Sequence, residues 1–262
     1  MNILDQIIES KKRSLGEKKD WYSIKKLEAS PFFDRECESL VKRLNSAGTT
    51  GIIAEFKRRS PSKGIINDKA EIVDVVSDYE NFGAAGISVL TDEEYFGGAN
   101  EDLMKAREIV DIPLLRKDFV IDEYQIVEAK SIGADLILLI AACLAPAEVK
   151  RLTAVAKNLG LEVLLELHGE EELGHICNGI ELIGINNRDL KTFEVDIERS
   201  LRMAERIPAD KIKVAESGIS DAETIKQLKE AGFKGFLIGE TFMKEEDPGK
   251  AFEQFVSGLK PM

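Results

Sequence analysis

The sequence predicts an α/β protein built as a (β/α)8 barrel, the TIM-barrel class, with a helical extension ahead of it. Three observations predict this. Eight short apolar runs, most of them rich in β-branched residues, alternate with stretches of helical period. From the first run near residue 51 to the last near 235 they recur about every 26 residues, close to one βα unit of an eightfold barrel. Four intervening stretches end in a glycine just before the next run, at Gly83, Gly133, Gly160 and Gly232, as helices stopped by a left-handed residue do.

Residues 1–48 form the extension. Leu4, Ile7, Ile8 and Leu15 fall roughly on one helical face, away from Lys11, Lys12 and Arg13. This helix either covers a barrel end or acts as a lid on the active-site end. The apolar turn Ser30-Pro31-Phe32-Phe33 would anchor it. The barrel occupies 49–262, with strands expected at 51–55, 86–90, 113–117, 135–140, 162–166, 182–186, 211–216 and 235–239. Their continuous apolar character suits parallel strands buried on both faces. Helices open at Pro146 and at Ser220-Asp221, where Pro in the first turn or a Ser/Asp cap supplies the start. An open doubly wound sheet is disfavoured because no GxGxxG follows the first strand. No linker or low-complexity segment divides the chain.

At 262 residues and 44% hydrophobic, the chain has material for one large core, which excludes a disordered polypeptide. With 36 Lys and Arg against 48 Asp and Glu, the formal charge is −12. Such a protein has no bulk attraction for nucleic acid or anionic lipid, so an anionic ligand needs a local cluster of cations. Cys37, Cys143 and Cys177 form no CxxC pair or disulfide framework, which suits a reducing cytoplasm. His168 and His175 are too few for most zinc sites and are expected to be peripheral, so no metal site is expected. No signal peptide is expected, and no apolar run approaches the length of a membrane span.

Catalytic residues of such barrels collect at the C-terminal strand ends, where side chains alternate inward and outward. Glu55 and Lys57 share a face after strand one, as do Lys117 and Phe119 after strand three. Glu166, Asn186, Arg188 and Glu216 end strands five, six and seven. A ring of solvated salt bridges explains any one of these residues. It is weaker for Glu55, Lys57, Lys117, Glu166, Arg188 and Glu216 together, because confined ions are costly unless paired. Three acids against three bases form a balanced set able to hold shifted pKa values. Arg116, of opposite parity, belongs among the outer helices, and Asp118 fixes a loop. Ser217-Gly218 after strand seven and Gly239-Glu240 after strand eight place glycine where a backbone must approach a phosphate. Phosphate binding plus acid/base chemistry points to a sugar-phosphate lyase or isomerase, with Lys117 alternatively a Schiff-base lysine. A metabolite-sensing, non-catalytic barrel is the rival from another class.

The run from Ile53 through Glu55-Phe56-Lys57-Arg58-Arg59-Ser60-Pro61-Ser62-Lys63-Gly64 resembles the signature of the indole-3-glycerol-phosphate synthase family. The resemblance continues through Leu90-Thr91-Asp92, Tyr95-Phe96-Gly97-Gly98, Arg116-Lys117-Asp118-Phe119, Asn186-Asn187-Arg188-Asp189-Leu190, Ala215-Glu216-Ser217-Gly218 and Ile238-Gly239-Glu240. The resemblance implies ring closure, decarboxylation and dehydration of 1-(2-carboxyphenylamino)-1-deoxyribulose 5-phosphate, in tryptophan biosynthesis. It implies Lys117 as general acid, Glu166 and Lys57 as acid and base in dehydration, and Glu55 as their support. Asn186, Arg188, Glu216, Ser217 and Gly218 would position substrate, with Ser60 and Gly239 as further contacts. Phe96, Phe119 and Leu138 would pack the arene. Where some members carry Ser, this chain has Glu240, so phosphate contact there is expected from backbone only. The resemblance implies no cofactor, no metal, no nucleic-acid or membrane partner and no obligate protein partner. Phosphoribosylanthranilate isomerase, a related reading, lacks its Cys/Asp pair at a strand end here.

Overall fold

Eight parallel strands close on themselves, each hydrogen-bonded to its sequence neighbours and the last to the first. They are β1 (Ile52–Phe56), β2 (Gly86–Leu90), β3 (Leu114–Lys117), β4 (Leu136–Ile140), β5 (Glu162–Leu167), β6 (Leu182–Asn186), β7 (Ile212–Glu216) and β8 (Phe233–Ile238). The structure is a computed structural model describing residues 3–189 and 193–259. Leu190, the last residue of one motif above, lies outside the described residues. Most boundaries fall within a residue of those expected. The exception is β8, which begins at Phe233 and shifts register between Phe233 and Gly235. The shift accommodates a close approach: a Cβ on Gly235 would lie 2.8 Å from Val214.

Alternation along the strands divides the core in two. Outward side chains such as Ile52, Ala54, Leu114, Ile137, Val163 and Ile183 pack against the surrounding helices. Inward side chains, among them Ile53, Leu115, Leu136, Leu138, Leu164, Leu182 and Val214, fill the barrel. The helices Pro146–Asn158 and Ala222–Glu230 start where expected, the first with Pro in its opening turn. Asp221 caps the second by accepting from Thr224 N at 2.8 Å. All four predicted helix-stopping glycines have positive φ.

The extension serves both ends of the barrel. Helix α1 (Ile3–Trp21) crosses the C-terminal mouth, where Ile3, Leu4 and Ile7 line the central cavity. Helix α2 (Ile24–Glu28) packs beside the helix Glu123–Ser131, with Leu15 and Leu27 against Tyr124. Helix α3 (Leu40–Asn45) plugs the opposite end, burying Leu40 and Leu44 in the inner core. Glu162, at the start of β5, accepts from Leu40 N (3.0 Å), Val41 N (3.2 Å) and Ser39, satisfying the first turn of α3. Phe32 and Phe33 are only half-buried, so the expected apolar anchor is replaced by ions. Arg35 reaches the fully buried Asp135 at 2.6 Å, and Arg107 meets the other oxygen at 2.8 Å.

Candidate active site

The C-terminal layer of inward positions is polar. Register sets Glu55 beside Ser88, Glu166 beside Gly184, and Asn186 beside Glu216. These side chains and Lys117 surround a cavity of about 290 Å³ under α1. Lys117 Nζ lies 3.3 Å from Glu166 Oε2 and 3.5 Å from Glu216 Oε2. Lys57 Nζ donates to Glu55 Oε1 at 2.7 Å, and Ser88 Oγ donates to Glu55 Oε2 at 3.3 Å. Asn186 Nδ2 donates to Glu166 Oε1 at 3.0 Å. Phe96 and Phe119 form one wall, ring centroids 6.1 Å apart, and Leu138 and Leu90 continue the apolar lining.

Three carboxylates face two ammonium groups here, and the difference decides their protonation. Glu55 and Glu166 are each 3% exposed and Glu216 1%, so burial favours their neutral forms. In Glu55 the nearby Lys57 and Lys117 overcome burial and hold the carboxyl below its ordinary value. In Glu166, Lys117, His168 and Asn186 do the same. Neither oxygen of Glu216 has a hydrogen-bond donor among the described residues. Burial, reinforced by the charge on Glu166 and against the pull of Lys117, pushes Glu216 up to about 8. Burial opposes the Lys117 ammonium, but Glu166, Glu216 and Glu55 together hold its pKa above the usual lysine value. Near neutral pH Glu216 is therefore the protonated acid of the floor, while the Lys117 ammonium faces the carboxylates of Glu55 and Glu166.

Arg188 is not part of this floor. Its guanidinium turns to the rim, 3.4 Å from Glu240 Oε2 and 3.3 Å from the Phe193 carbonyl, which replaces the balanced six-ion set expected from sequence. Its backbone N–H donates to Asn186 Oδ1 at 3.0 Å. Glu240 also sits 3.3 Å from Lys63, so two cations hold its carboxylate. Ser217 and Gly218, both with positive φ, line the same end of the cavity with Gly239, Glu240 and Lys244. Ser217 is one of two non-glycine residues in that conformation among the described residues, a strained backbone at the cavity edge. Ser60 lines the mouth from a short hairpin, Arg59–Ser60 against Gly64–Ile65.

The chain matches the indole-3-glycerol phosphate synthase family over residues 4–255. It is 48% identical over 259 residues to an indole-3-glycerol phosphate synthase of Bacteroides thetaiotaomicron, covering 99% of both chains. A Salinibacter ruber relative of the same name is 44% identical over 257 residues, 97% of this chain and 95% of that one.

The chain belongs to the indole-3-glycerol phosphate synthase family.

Membership of the indole-3-glycerol phosphate synthase family makes it a carboxy-lyase of tryptophan biosynthesis, acting on a small sugar-phosphate substrate. Among solved structures, a mutant tryptophan synthase alpha-subunit from Pyrococcus furiosus superposes with TM-score 0.60 at 17% identity, over 80% of this chain and 97% of that one. That likeness shows the barrel fold alone. No described helix is long and apolar enough to cross a membrane, and no described group of three or more His, Cys, Asp or Glu is placed to hold a metal ion.

Every expected catalytic or substrate-contacting residue lies on this cavity or its rim, and several others were missed. His168 is not peripheral: its Nε2 lies 3.1 Å from Glu166 Oε1. His175 does stay outside, its ring nitrogens 2.9 Å from two backbone carbonyl oxygens. Lys11 of α1 pairs with Asp92 and Asp118. Asp118 thus ties down the extension as well as its own loop. Arg116 lies outside the barrel wall as expected, fully buried against the Gln125 carbonyl and Glu128. His168 had one legible signal, since it continues the inward parity of Glu166.

Proposed function

We propose that Lys117 is the general acid of ring closure and that Glu166 and Lys57 exchange the protons of dehydration, with Glu55 holding Lys57. The arene carbon bearing the carboxylate attacks the ribulose C2 carbonyl, and Lys117 protonates the developing alkoxide. An alkoxide is more basic than an amine, so even an ammonium held by three carboxylates is a competent donor. Loss of carbon dioxide returns the bonding pair to the ring and restores aromaticity. Dehydration then needs an acid for the departing hydroxyl and a base for the ring proton. The observation that carries this reading is Lys117 Nζ standing 3.3 Å from Glu166 on the cavity wall, beside the aromatic pair Phe96 and Phe119.

Phe96, Phe119 and Leu138 would hold the arene. Ser217, Gly218, Gly239 and the backbone of Glu240 would receive the phosphate, with Ser60 closing the mouth. Asn186, Arg188 and Glu216 would orient hydroxyls and carboxylate. The chemistry asks for no metal and no cofactor, since an ammonium group activates the carbonyl by proton donation and no redox change occurs. Three free cysteines suit the cytoplasm. Following indole absorbance from the carboxyphenylamino substrate tests the reading. Indole formation, unchanged by a chelator, is expected; binding without turnover would leave a sensing barrel instead.

A further inference from the structure

We propose that His168 is a proton relay between Glu166 in the substrate cavity and a second, outer cleft. The proposal rests on the reading that Glu166 exchanges protons during dehydration.

Two cavities meet at this histidine. The first is lined by Glu166 and not by His168. The second, of about 570 Å³, is lined by His168 and Glu172 and not by Glu166. Its rim includes the exposed Glu170, Glu171 and Arg202, so it opens to solvent. His168 follows β5 one pleat beyond Glu166. Its Nε2 lies 3.1 Å from Glu166 Oε1, and its Nδ1 lies 3.8 Å from Glu172 Oε2. The same Glu172 oxygen accepts the His168 backbone N–H at 2.6 Å, which fixes that carboxylate beside the ring.

The other histidine shows what a structural role looks like. Both ring nitrogens of His175 sit 2.9 Å from backbone carbonyls. Both ring nitrogens of His168 are buried, and neither meets a backbone carbonyl among the described residues. The ring is instead flanked by carboxylates. Glu166 comes from β5, Glu172 from the turn after it and Glu216 from β7, while Asp5, Asp189 and Arg199 line the outer cleft. Cys143, near Glu166 and Glu172, keeps its proton because burial pushes its thiol up. Burial alone would lower the His168 pKa, but the carboxylates raise it above the ordinary histidine value.

The reaction creates the need. The substrate carboxylate leaves as neutral carbon dioxide, so one proton is consumed per turnover. Two protons enter the substrate oxygens, at ring closure and at dehydration, and one returns from the ring carbon. The missing proton must come from solvent while α1 covers the mouth. In the relay, imidazolium Nε2 gives its proton to Glu166 Oε1, leaving neutral imidazole and a carboxylic acid. Rotation of the carboxyl then carries the proton to the Lys117 amine, 3.3 Å from the other oxygen, and the imidazole is recharged at Nδ1 from the outer cleft through Glu172, whose Oε2 lies 3.8 Å away. No electron changes hands and the charge balances.

The test compares His168→Asn, His168→Ala and Glu166→Gln with the parent enzyme. His168→Asn can still donate to Glu166 but cannot carry a proton. Its kcat should fall by about 10–10²-fold with KM little changed, less than the loss of the acid/base itself. The parent kcat should decline as pH rises through a pKa above the ordinary histidine value, and that limb should vanish in His168→Asn. Added imidazole should restore turnover in His168→Ala through the open cleft. Parent-like kcat across pH in His168→Asn, or a loss indifferent to imidazole and pH, overturns the relay. An active Glu166→Gln would overturn the acid/base reading itself; an inactive one beside a fully active His168→Asn overturns the relay alone.

Discussion

Lys11 Nζ, on the N-terminal helix, stands 2.6 Å from Asp118 Oδ1, the residue next to Lys117. It also meets Asp92 at 2.9 Å, so one half-buried ammonium clamps α1 to the loops after β2 and β3. Lys11→Met should loosen the helix from the mouth. The cost should fall short of the ~3–5 kcal/mol of a broken buried pair, because Thr91 and Arg116 still face Asp118. Burial is outweighed on both sides of the pair: Asp118 is held below the ordinary carboxylate range by Lys11 and Arg116, and Lys11 is raised by Asp118 and Asp92. The Asp118 contribution is present above its unfolded value and lost as pH falls through the depressed one. That of Lys11 is present below its unfolded value and lost as pH rises through the raised one. KM measured from about pH 5 to 9 should therefore rise in Lys11→Met by a factor that does not depend on pH. A KM equal to the parent's would remove α1 from substrate closure.

Removing residues 1–22 should raise KM and leave a folded barrel, since that helix covers the mouth. Extending the deletion to residue 46 should lower the unfolding temperature sharply. It removes Leu40 and Leu44 from the inner core, at ~2–5 kcal/mol for each large buried side chain lost. Equal unfolding temperatures for the two truncations would contradict the role of α3 as a plug.

Glu216 binds its proton more tightly folded than unfolded, because burial and Glu166 push it up to about 8. From the ordinary glutamate value up to that pH the folded state holds more protons than the unfolded one, so this group makes stability fall as pH rises. Glu216→Gln should flatten that fall and raise the melting temperature near about pH 9 relative to the parent. Activity should drop, because the group that orients substrate is gone. A variant with unchanged pH dependence of melting would place the proton elsewhere.

A Cβ at Gly184 would lie 2.1 Å from Glu216 Oε1 and 3.4 Å from the Leu164 side chain. Since the clash is with the tip of a flexible side chain, Gly184→Ala should fold and displace the carboxyl. Lost activity with melting near the parent value is expected. Loss of the fold instead would make Gly184 a packing residue only.

Strand parity made much of this architecture legible. Glu55, Lys117, Asn186 and Glu216 each end a run whose inward face is otherwise apolar, and Glu166 follows the inward Leu164, an alternation that is local in sequence. Contacts that depend on tertiary placement were hidden. Lys11 meets Asp118 only because α1 returns over the mouth, and a lysine on a polar helix face reads as solvated. Arg188 has the right parity, yet the loop after β6 carries it to Glu240 at the rim. His168 lies past the strand end, where parity usually lapses; here one further pleat keeps it beside Glu166.

The central claim is that Lys117 donates the proton of ring closure, and the steady-state kinetics of Lys117→Met test it most directly. Methionine replaces the aliphatic stem at similar volume, so the barrel should remain folded. KM should change little, because phosphate and arene are held by other residues, while kcat should fall by about 10²–10⁴-fold. Lys57→Met, measured alongside, should weaken both parameters. A Lys117→Met enzyme with kcat near the parent's, or a borohydride-reduced substrate adduct on Lys117 of the parent, would contradict the account.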